Sequence, residues 1–238
     1  MCIRDSLIDV MGPVILVVGI GWVAGKRMSF DIATLSRMVF WVIGPLFVLY
    51  VFADAELDRD TVWRLSIAGL IAMVVGAAVA YAVGQRLGLG VSRRNAAVMT
   101  SAYGNVGNAG LVISAFAFGD DAIPAAAVLM VVINGTGILL GVSLASAEAL
   151  GIGAAIKRAA LTPMNLAAVV ALVLNAANLD FPTAFERTIE LVGASLIPVM
   201  LLTLGMQLAG DFSLSLDADF GLVTIAKLVV VPLSLIHI

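Results

Sequence analysis

The chain has 238 residues, of which 62% are hydrophobic and 12% are charged, and its formal net charge is −3. Soluble domains are about 45–50% apolar and about 25% charged, so a soluble fold cannot hide this much apolar surface and lipid must cover part of it. The weak net charge provides no basic field for nucleic acid, so no nucleic-acid partner is expected.

Both ends of the chain have the sequence of a sequencing adapter. MCIRDS (1–6) and LSLIHI (233–238) are encoded by opposite strands of the transposon end used in library preparation. We interpret both as scars and exclude them, which leaves about 7–232 of a longer native protein. The exclusion removes Cys2 and His237, the only cysteine and the only histidine. Disulfides, thiol nucleophiles, histidine catalysis and histidine metal sites are therefore not expected.

Charged residues divide the remaining chain into eight apolar segments, each near the roughly 20 residues that a spanning helix needs. In chain order these segments are about 8–25, about 38–54, between Arg64 and Arg86, between Arg94 and Asp120, between Asp121 and Glu148, between Arg158 and Asp180, between Glu190 and Asp211, and from near Phe220 to Pro232. The pattern predicts an all-α, multi-pass membrane protein.

The charge of the connecting loops predicts the orientation of these segments, because basic loops stay in the cytoplasm. The loops after segments one, three and five are basic, with Lys26, Arg27, Arg37, Arg86, Arg93, Arg94, Lys157 and Arg158. The loops after segments two and four are acidic. The N-terminus is therefore expected outside, in the periplasm if the membrane is a bacterial inner membrane. The loop after segment seven carries only Asp211, Asp217 and Asp219 and is an exception.

Two stretches suggest an internal repeat. Residues 36–57 and 186–208 each place one proline inside an apolar helix, and they fall in segments two and seven. A unit with an odd number of helices is inverted in its second copy, as in inverted-repeat transporters. We accordingly predict a first five-helix repeat over 7–147, a cytoplasmic loop over 148–160 and an incomplete second repeat over 161–232.

The middle of segment four reads SAYGNVGNAG (101–110). Close packing of small residues would explain its evenly spaced glycines, Gly104, Gly107 and Gly110. It does not explain Asn105 and Asn108, because a buried amide without a partner costs a few kcal/mol. Transporters with broken helices place such residues at the membrane midplane. We therefore predict a broken fourth helix whose second half begins near Gly110.

The predicted break favours a bound anion. The free N–H groups and positive end of the second half-helix attract a carboxylate, and the amides of Asn105 and Asn108 can donate to it. Carbonyls freed near Tyr103 and Gly104 would face a cation. Asn134, in segment five, is expected to contact the ligand, to bond segment four, or to do both. Paired carboxylates, phosphate loops and Ser/His/Asp sets are absent from the sequence, so we expect neither an enzyme nor a cofactor or metal.

These residues resemble the auxin efflux carrier family. That family also includes bacterial carriers for malate and malonate, and it lies within the bile acid/sodium symporter-like superfamily. The resemblance lies in YGNVGNAGLVISAFAFGDDAIPAAAVLMVVINGTG (103–137), and in LTPMNLAAVVALVLNAANLDFP followed by GASLIPVMLLTLGMQLAG. It implies ten helices in two inverted halves, about eight of them present here, with the fourth and ninth broken and crossing at the midplane. Segments one, two, six and seven would form a scaffold and dimer side, and the others a moving domain.

The resemblance carries the family's crossover asparagine to Asn105. The family has a proline two residues after the glycine aligned with Gly110, whereas this chain has Val112, so the break is left to the glycines. The missing ninth and tenth helices imply that the fragment does not transport as it stands.

The expected function is a secondary active permease for small organic anions such as dicarboxylates. It would work by alternating access in the lipid bilayer, as a homodimer, with Na⁺ or H⁺ as the candidate coupling ion. Two alternatives remain open. One is a sodium-coupled organic anion symporter, and the other is a non-transporting sensor or assembly module in which the asparagines only tie helices together.

Overall fold

The structure is a computed structural model that describes residues 3–53, 55, 58–145, 152–177, 179, 181–210 and 218–230. Over these ranges the chain is helical and contains no strand, which confirms the all-α prediction. The scar at 233–238, the start of the loop at 148–160, and the acidic residues Asp211 and Asp217 lie outside the described residues.

The helices follow the predicted segments in chain order. They are α1 (Ile3–Arg27), α2 (Ile32–Met38), α3 (Gly44–Ala53), α4 (Arg59–Arg86), α5 (Val91–Ala102), α6 (Val112–Phe118), α7 (Ile123–Ala145), α8 (Ile152–Ala160), α9 (Pro163–Ala176), α10 (Thr183–Gly193), α11 (Leu196–Leu208) and α12 (Ala218–Ile225). π-Helical stretches cover Val39–Ile43, Val106–Leu111 and Ala226–Val230, and a 3₁₀ turn covers Asp120–Ala122.

Five stretches are long and apolar enough to cross a membrane, and they correspond to predicted segments one, two, three, five and seven. They are Ile8–Arg27, Ile32–Ala53, Arg59–Arg86, Asp120–Gly141 and Thr183–Leu208. The sixth segment forms the shorter apolar helix Pro163–Ala176, and the fourth is interrupted. A multi-pass membrane protein is therefore confirmed, whereas the inverted repeat stays a prediction.

The chain divides into two compact units. The first contains Met1–Leu57, Asn105–Met130 and Thr162–Phe212, and the second contains Asp58–Gly104, Val131–Leu161 and Ser213–Ile238. Segments one, two, six and seven, which the resemblance assigns to a scaffold, all lie in the first unit. The fourth and fifth segments are divided between the units, whereas the resemblance assigns both of them entirely to the moving domain.

Glycines let α1 and α11 approach closely within the first unit. A methyl group on Gly21 would lie less than 3.0 Å from the backbone of Leu202, and one on Gly205 would lie less than 3.0 Å from the backbone of Val18. Beside this contact, Val14 and Leu201 pack with Val112 of α6 in a buried apolar cluster. The contact therefore depends on small residues on both helices, as is usual between membrane helices.

The two prolines of the predicted repeat both follow a helix irregularity in the first unit. Pro45 comes two residues after the π-helical stretch Val39–Ile43, and Pro198 follows the turn at Ala194 that separates α10 from α11. A proline has no N–H to donate to the carbonyl four residues earlier, so the preceding turn must find another geometry. Neither proline ends its segment as an apolar run, since Ile32–Ala53 and Thr183–Leu208 each remain long enough to span a membrane.

Two aspartates cap helices that follow acidic or polar loops. The Asp31 carboxylate accepts from the Thr34 hydroxyl at 2.5 Å, and the Asp58 carboxylate accepts from the Thr61 hydroxyl at 2.6 Å and the Thr61 N–H at 2.7 Å. These hydrogen bonds, from the threonine hydroxyl first and its N–H second, hold the pKa of each aspartate below its ordinary value. The caps fix where α2 and α4 begin.

Candidate functional site at the break in segment four

The fourth segment is broken between Ala102 and Val106, as predicted. Tyr103 adopts an extended backbone with φ −89° and ψ 108°, and Asn105 has φ −81° and ψ 63°, outside the helical region. The helix then resumes at Val106 and continues to Phe118. The prediction that the second half begins near Gly110 is wrong, because it begins about one turn earlier.

A π-turn explains the earlier start. The carbonyl of Asn105 accepts from the N–H of Ala109 at 3.3 Å and from the N–H of Gly110, five residues on, at 2.9 Å. This i→i+5 bond widens the first turn of the second half-helix. Gly110 therefore lies inside the helix, where it closes the π-turn. It is not the residue at which the chain leaves helical geometry.

The start of the second half-helix carries polar groups that the chain itself leaves open. Its first N–H groups have no carbonyl partner within the helix. The Asn105 side chain, which stands at the N-cap, makes no capping bond, and over the described ranges neither Asn105 nor Asn108 has a side-chain hydrogen-bond partner. Asn105 is exposed and Asn108 is half-buried. Unpartnered donors at and just after a helix N-terminus suit an anionic ligand.

The other side of the break is fixed inside the second unit. The Tyr103 hydroxyl donates to Oδ1 of Asn134 on α7. The Tyr103 ring lies against Gly137, where an added methyl group would be less than 3.0 Å from two ring carbons. Asn134 therefore makes the bond to segment four that was one of its two predicted roles. Tyr103, predicted as a source of free carbonyls, also serves as the anchor of this bond.

Further contacts hold α5 and α7 in place within the second unit. The amide of Asn95 donates to the carbonyl of Leu144 at 3.2 Å. The hydroxyl of Thr136 lies 2.9 Å from the sulfur of Met73 and donates to the carbonyl of Val132 at 2.6 Å. Asn134 and Thr136 thus sit on a helix that is tied to its neighbours along much of its length.

The glycines of the motif have different surroundings. A methyl group on Gly107 would lie less than 3.0 Å from the terminal methyl of Met200 on α11, so this glycine permits close approach of α11. Near Gly110 the closest atom is the Asn105 carbonyl oxygen at 3.5 Å. Over the described residues only Gly88 and Gly119 have positive φ, so Gly104, Gly107 and Gly110 are not needed for a left-handed backbone.

The predicted site residues therefore fall into two groups, one in each unit. Asn105, Gly107, Asn108 and Gly110 belong to the first unit, and Tyr103, Gly104 and Asn134 belong to the second. Ser101 was not predicted as part of the site, since as a catalytic serine it would have no base partner; its hydroxyl is buried, with the residue 3% exposed, and has no hydrogen-bond partner among the described residues. A serine in the middle of an apolar segment, directly before the break, was the available signal.

These features define an all-α, multi-pass membrane protein with a broken helix and open polar groups at the break. Residues 149–238 match the family model described as Membrane transport protein, the family of the auxin efflux carriers. The family resemblance is thus confirmed for this part of the chain, which includes α9, α10 and α11. The motif at 103–137 lies outside the matched range. A comparison with curated proteins found no match. The match supports a membrane transport protein in general terms and indicates neither a substrate nor a coupling ion.

Proposed function

We propose that this protein is a secondary active permease for small organic anions such as dicarboxylates, working by alternating access. Its place would be the bacterial inner membrane, with the N-terminus in the periplasm as the loop charges predict. The homodimer and a Na⁺ or H⁺ coupling ion belong to the same proposal. The observation that carries it is the break at Tyr103–Asn105, followed by a helix start whose neighbouring amides have no partner in the described chain.

The chemistry of the break supports an anion as the substrate. The second half-helix runs from Val106 to Phe118, long enough for its first turn to carry the positive end of a helix dipole. Asn105 and Asn108 add neutral donors. Because they carry no positive charge, they can bind a carboxylate and still release it. In this proposal Asn134, on α7, braces the break by accepting from the Tyr103 hydroxyl. Gly107 and Gly110 let the half-helix form and pack.

The break also bears on the alternative of a non-transporting module. That alternative requires asparagines that only tie helices together, in a segment with unbroken i→i−4 bonding. The backbone of Tyr103 and Asn105 leaves helical geometry, and Asn105 and Asn108 bond no neighbouring helix among the described residues. Both observations favour a ligand site.

The proposal is tested by uptake of labelled malate and malonate into proteoliposomes that contain the product of the complete gene. Losing a hydrogen bond to a charged group costs about 1.5–3 kcal/mol, so Asn105→Ala and Asn108→Ala should each weaken apparent affinity about ten- to hundredfold. Runs with and without a Na⁺ or pH gradient identify the coupling ion.

Asn95→Ala is the matched control. It removes an amide of the same segment whose partner is the Leu144 carbonyl, away from the break. We expect this variant to lower thermal stability while the folded protein keeps its apparent affinity. Uptake by Asn105→Ala and Asn108→Ala at the wild-type affinity would refute the assigned site. Failure of the wild-type protein to accumulate either anion would refute the substrate class.

A further inference from the structure

Three arginines come together at one end of the α4–α5 hairpin, outside the site described above. Arg86 is the last residue of α4, and Arg93 and Arg94 lie in the first turn of α5. The turn between them is tight. Gly88 has φ 68°, its N–H donates to the carbonyl of Gln85 at 3.1 Å, and the chain reverses direction at once. We call Arg86, Arg93 and Arg94 the cationic turn.

Arg94 is held in place by packing. Its guanidinium carbon lies 4.7 Å from the centre of the Tyr81 ring, a cation–π distance. Its Cγ lies close to Gly84, where an added methyl group would be 3.2 Å away. The Nε of Arg94 is buried and has no hydrogen-bond partner among the described residues. The cation is therefore ordered in advance of any ligand, without a protein carboxylate to hold it.

The charges around this turn are unbalanced. The sequence contains no aspartate or glutamate between Asp60 and Asp120, and neither Arg86 nor Arg94 forms an ion pair within the described ranges. Arginines in the first turn of α5 add to the positive end of its helix dipole, where acidic residues are normally favoured. The N-cap residue Gly90 supplies no side-chain acceptor. An anion from outside the chain would relieve this repulsion.

Apolar surface lies directly beside the charges. Leu87 is 51% exposed and Val91 is 64% exposed, and they flank the turn that joins the two helices. A free inorganic anion gains nothing from such neighbours, whereas a lipid presents a phosphate and a hydrocarbon edge together. Basic loops face the cytoplasmic leaflet, which is rich in anionic lipid, and basic pockets between membrane helices bind anionic headgroups there.

We propose that the cationic turn binds the headgroup phosphate of an anionic phospholipid, with Arg94 as the ordered anchor and Arg86 beside it. Arginine suits this role, because its planar fork can bond a phosphate through two parallel N–H groups. This binding site is independent of the proposed transport function, since it depends on none of the residues at the break.

The test uses the full-length protein, purified in a neutral detergent and titrated with dioctanoyl phosphatidylglycerol, dioctanoyl phosphatidylcholine or inorganic phosphate. The wild type should bind phosphatidylglycerol more tightly than phosphatidylcholine. Arg86→Gln and Arg94→Gln should each weaken phosphatidylglycerol binding about fivefold and leave phosphatidylcholine binding unchanged. Arg64→Gln is the matched control, because Arg64 lies in the same helix and already pairs with Asp60 at 2.7 Å.

Three results would overturn the proposal: equal affinity of the wild type for the two lipids, wild-type binding by the two variants, or inorganic phosphate binding as tightly as phosphatidylglycerol. If Arg94→Gln fails to fold because of its packing on Tyr81, then Arg86→Gln decides, since Arg86 is an exposed helix-terminal residue. Arg64→Gln losing affinity as much as Arg86→Gln would also count against it, because a loss of that kind reflects net charge alone.

Discussion

The contact between Tyr103 and Gly137 offers the sharpest test of how the break is held. A methyl group at Gly137 would lie less than 3.0 Å from two carbons of the Tyr103 ring. Favourable carbon–carbon contacts lie at about 3.5–4.0 Å, so the ring has to move by more than about 0.5 Å. The ring is rigid and its hydroxyl is held by Asn134, so the movement strains that hydrogen bond as well.

The expected cost of Gly137→Ala follows from opposing terms. Overpacking costs about 1–3 kcal/mol and a lost hydrogen bond about 1 kcal/mol, while replacing a helical glycine with alanine gains about 1 kcal/mol. Gly141→Ala in the same helix shares the gain without the clash, because its nearest neighbour is the flexible end of Met99 at 3.4 Å. Subtracting the two variants removes the helix-propensity contribution and leaves the clash together with the lost hydrogen bond, about 2–4 kcal/mol.

Unfolding in mixed detergent micelles, followed by tryptophan fluorescence, measures both variants under the same conditions. We expect Gly137→Ala to be less stable than Gly141→Ala, and the difference to vanish when Tyr103→Ala removes the ring. Equal stability of the two single variants would refute the packing argument. A Gly137→Ala cost that persists without the Tyr103 ring would refute it too, since the strain would then lie in α7 itself.

Further predictions concern the first unit and the helix caps. Gly205→Ala should destabilise the protein by about 1–3 kcal/mol, because the backbone of Val18 cannot move away from the new methyl group. Gly19→Ala should not destabilise it, because a methyl group at Gly19 has no neighbour within 4 Å. Equal unfolding midpoints of the two variants would contradict this prediction. The Thr61 hydroxyl holds the pKa of Asp58 below its unfolded value of 3.8. The stability that Asp58 contributes to the fold is therefore fully present above pH 3.8 and is lost as the pH falls through the lower pKa of the folded state. Asp58→Asn should flatten this part of the pH dependence of stability. An unchanged profile would show that protonation of Asp58 does not affect the stability of the fold.

The break in segment four could be predicted because its signal is local. Glycines and amides within an otherwise apolar run are costly in a continuous helix, so their presence alone indicates an interruption. The position at which the helix resumes depends on the π-turn closed by the Asn105 carbonyl and the Gly110 N–H. A π-turn and an α-turn place the same residue types at nearly the same spacing. The sequence therefore indicates a break without indicating its register.

Contacts between residues far apart in the sequence were harder to predict. Asn134 had two equally supported roles in the sequence, which do not exclude each other, and only the position of the Tyr103 hydroxyl shows the bond to segment four. The sequence alone does not tell whether Gly137 serves helix packing or belongs to a polar motif. The structure shows that it makes room for the Tyr103 ring. By contrast, the apolar segments could be predicted by length and charge, because the bilayer imposes a minimum run on any spanning helix.

The absence of the expected proline changes what holds the break open. Val112 has φ −67°, which a proline could adopt, but its N–H donates to the Ala109 carbonyl and Leu111 before it is helical, a conformation that a following proline disfavours. The Val112 side chain is instead fully buried, with Val14 and Leu201. A proline would set the break by covalent geometry. Here Tyr103 is fixed to Asn134 in the second unit, and Val112 is fixed in the core of the first. Gly104 and Asn105 lie between these two anchors in the sequence, as the last residue of one stretch of the second unit and the first residue of a stretch of the first.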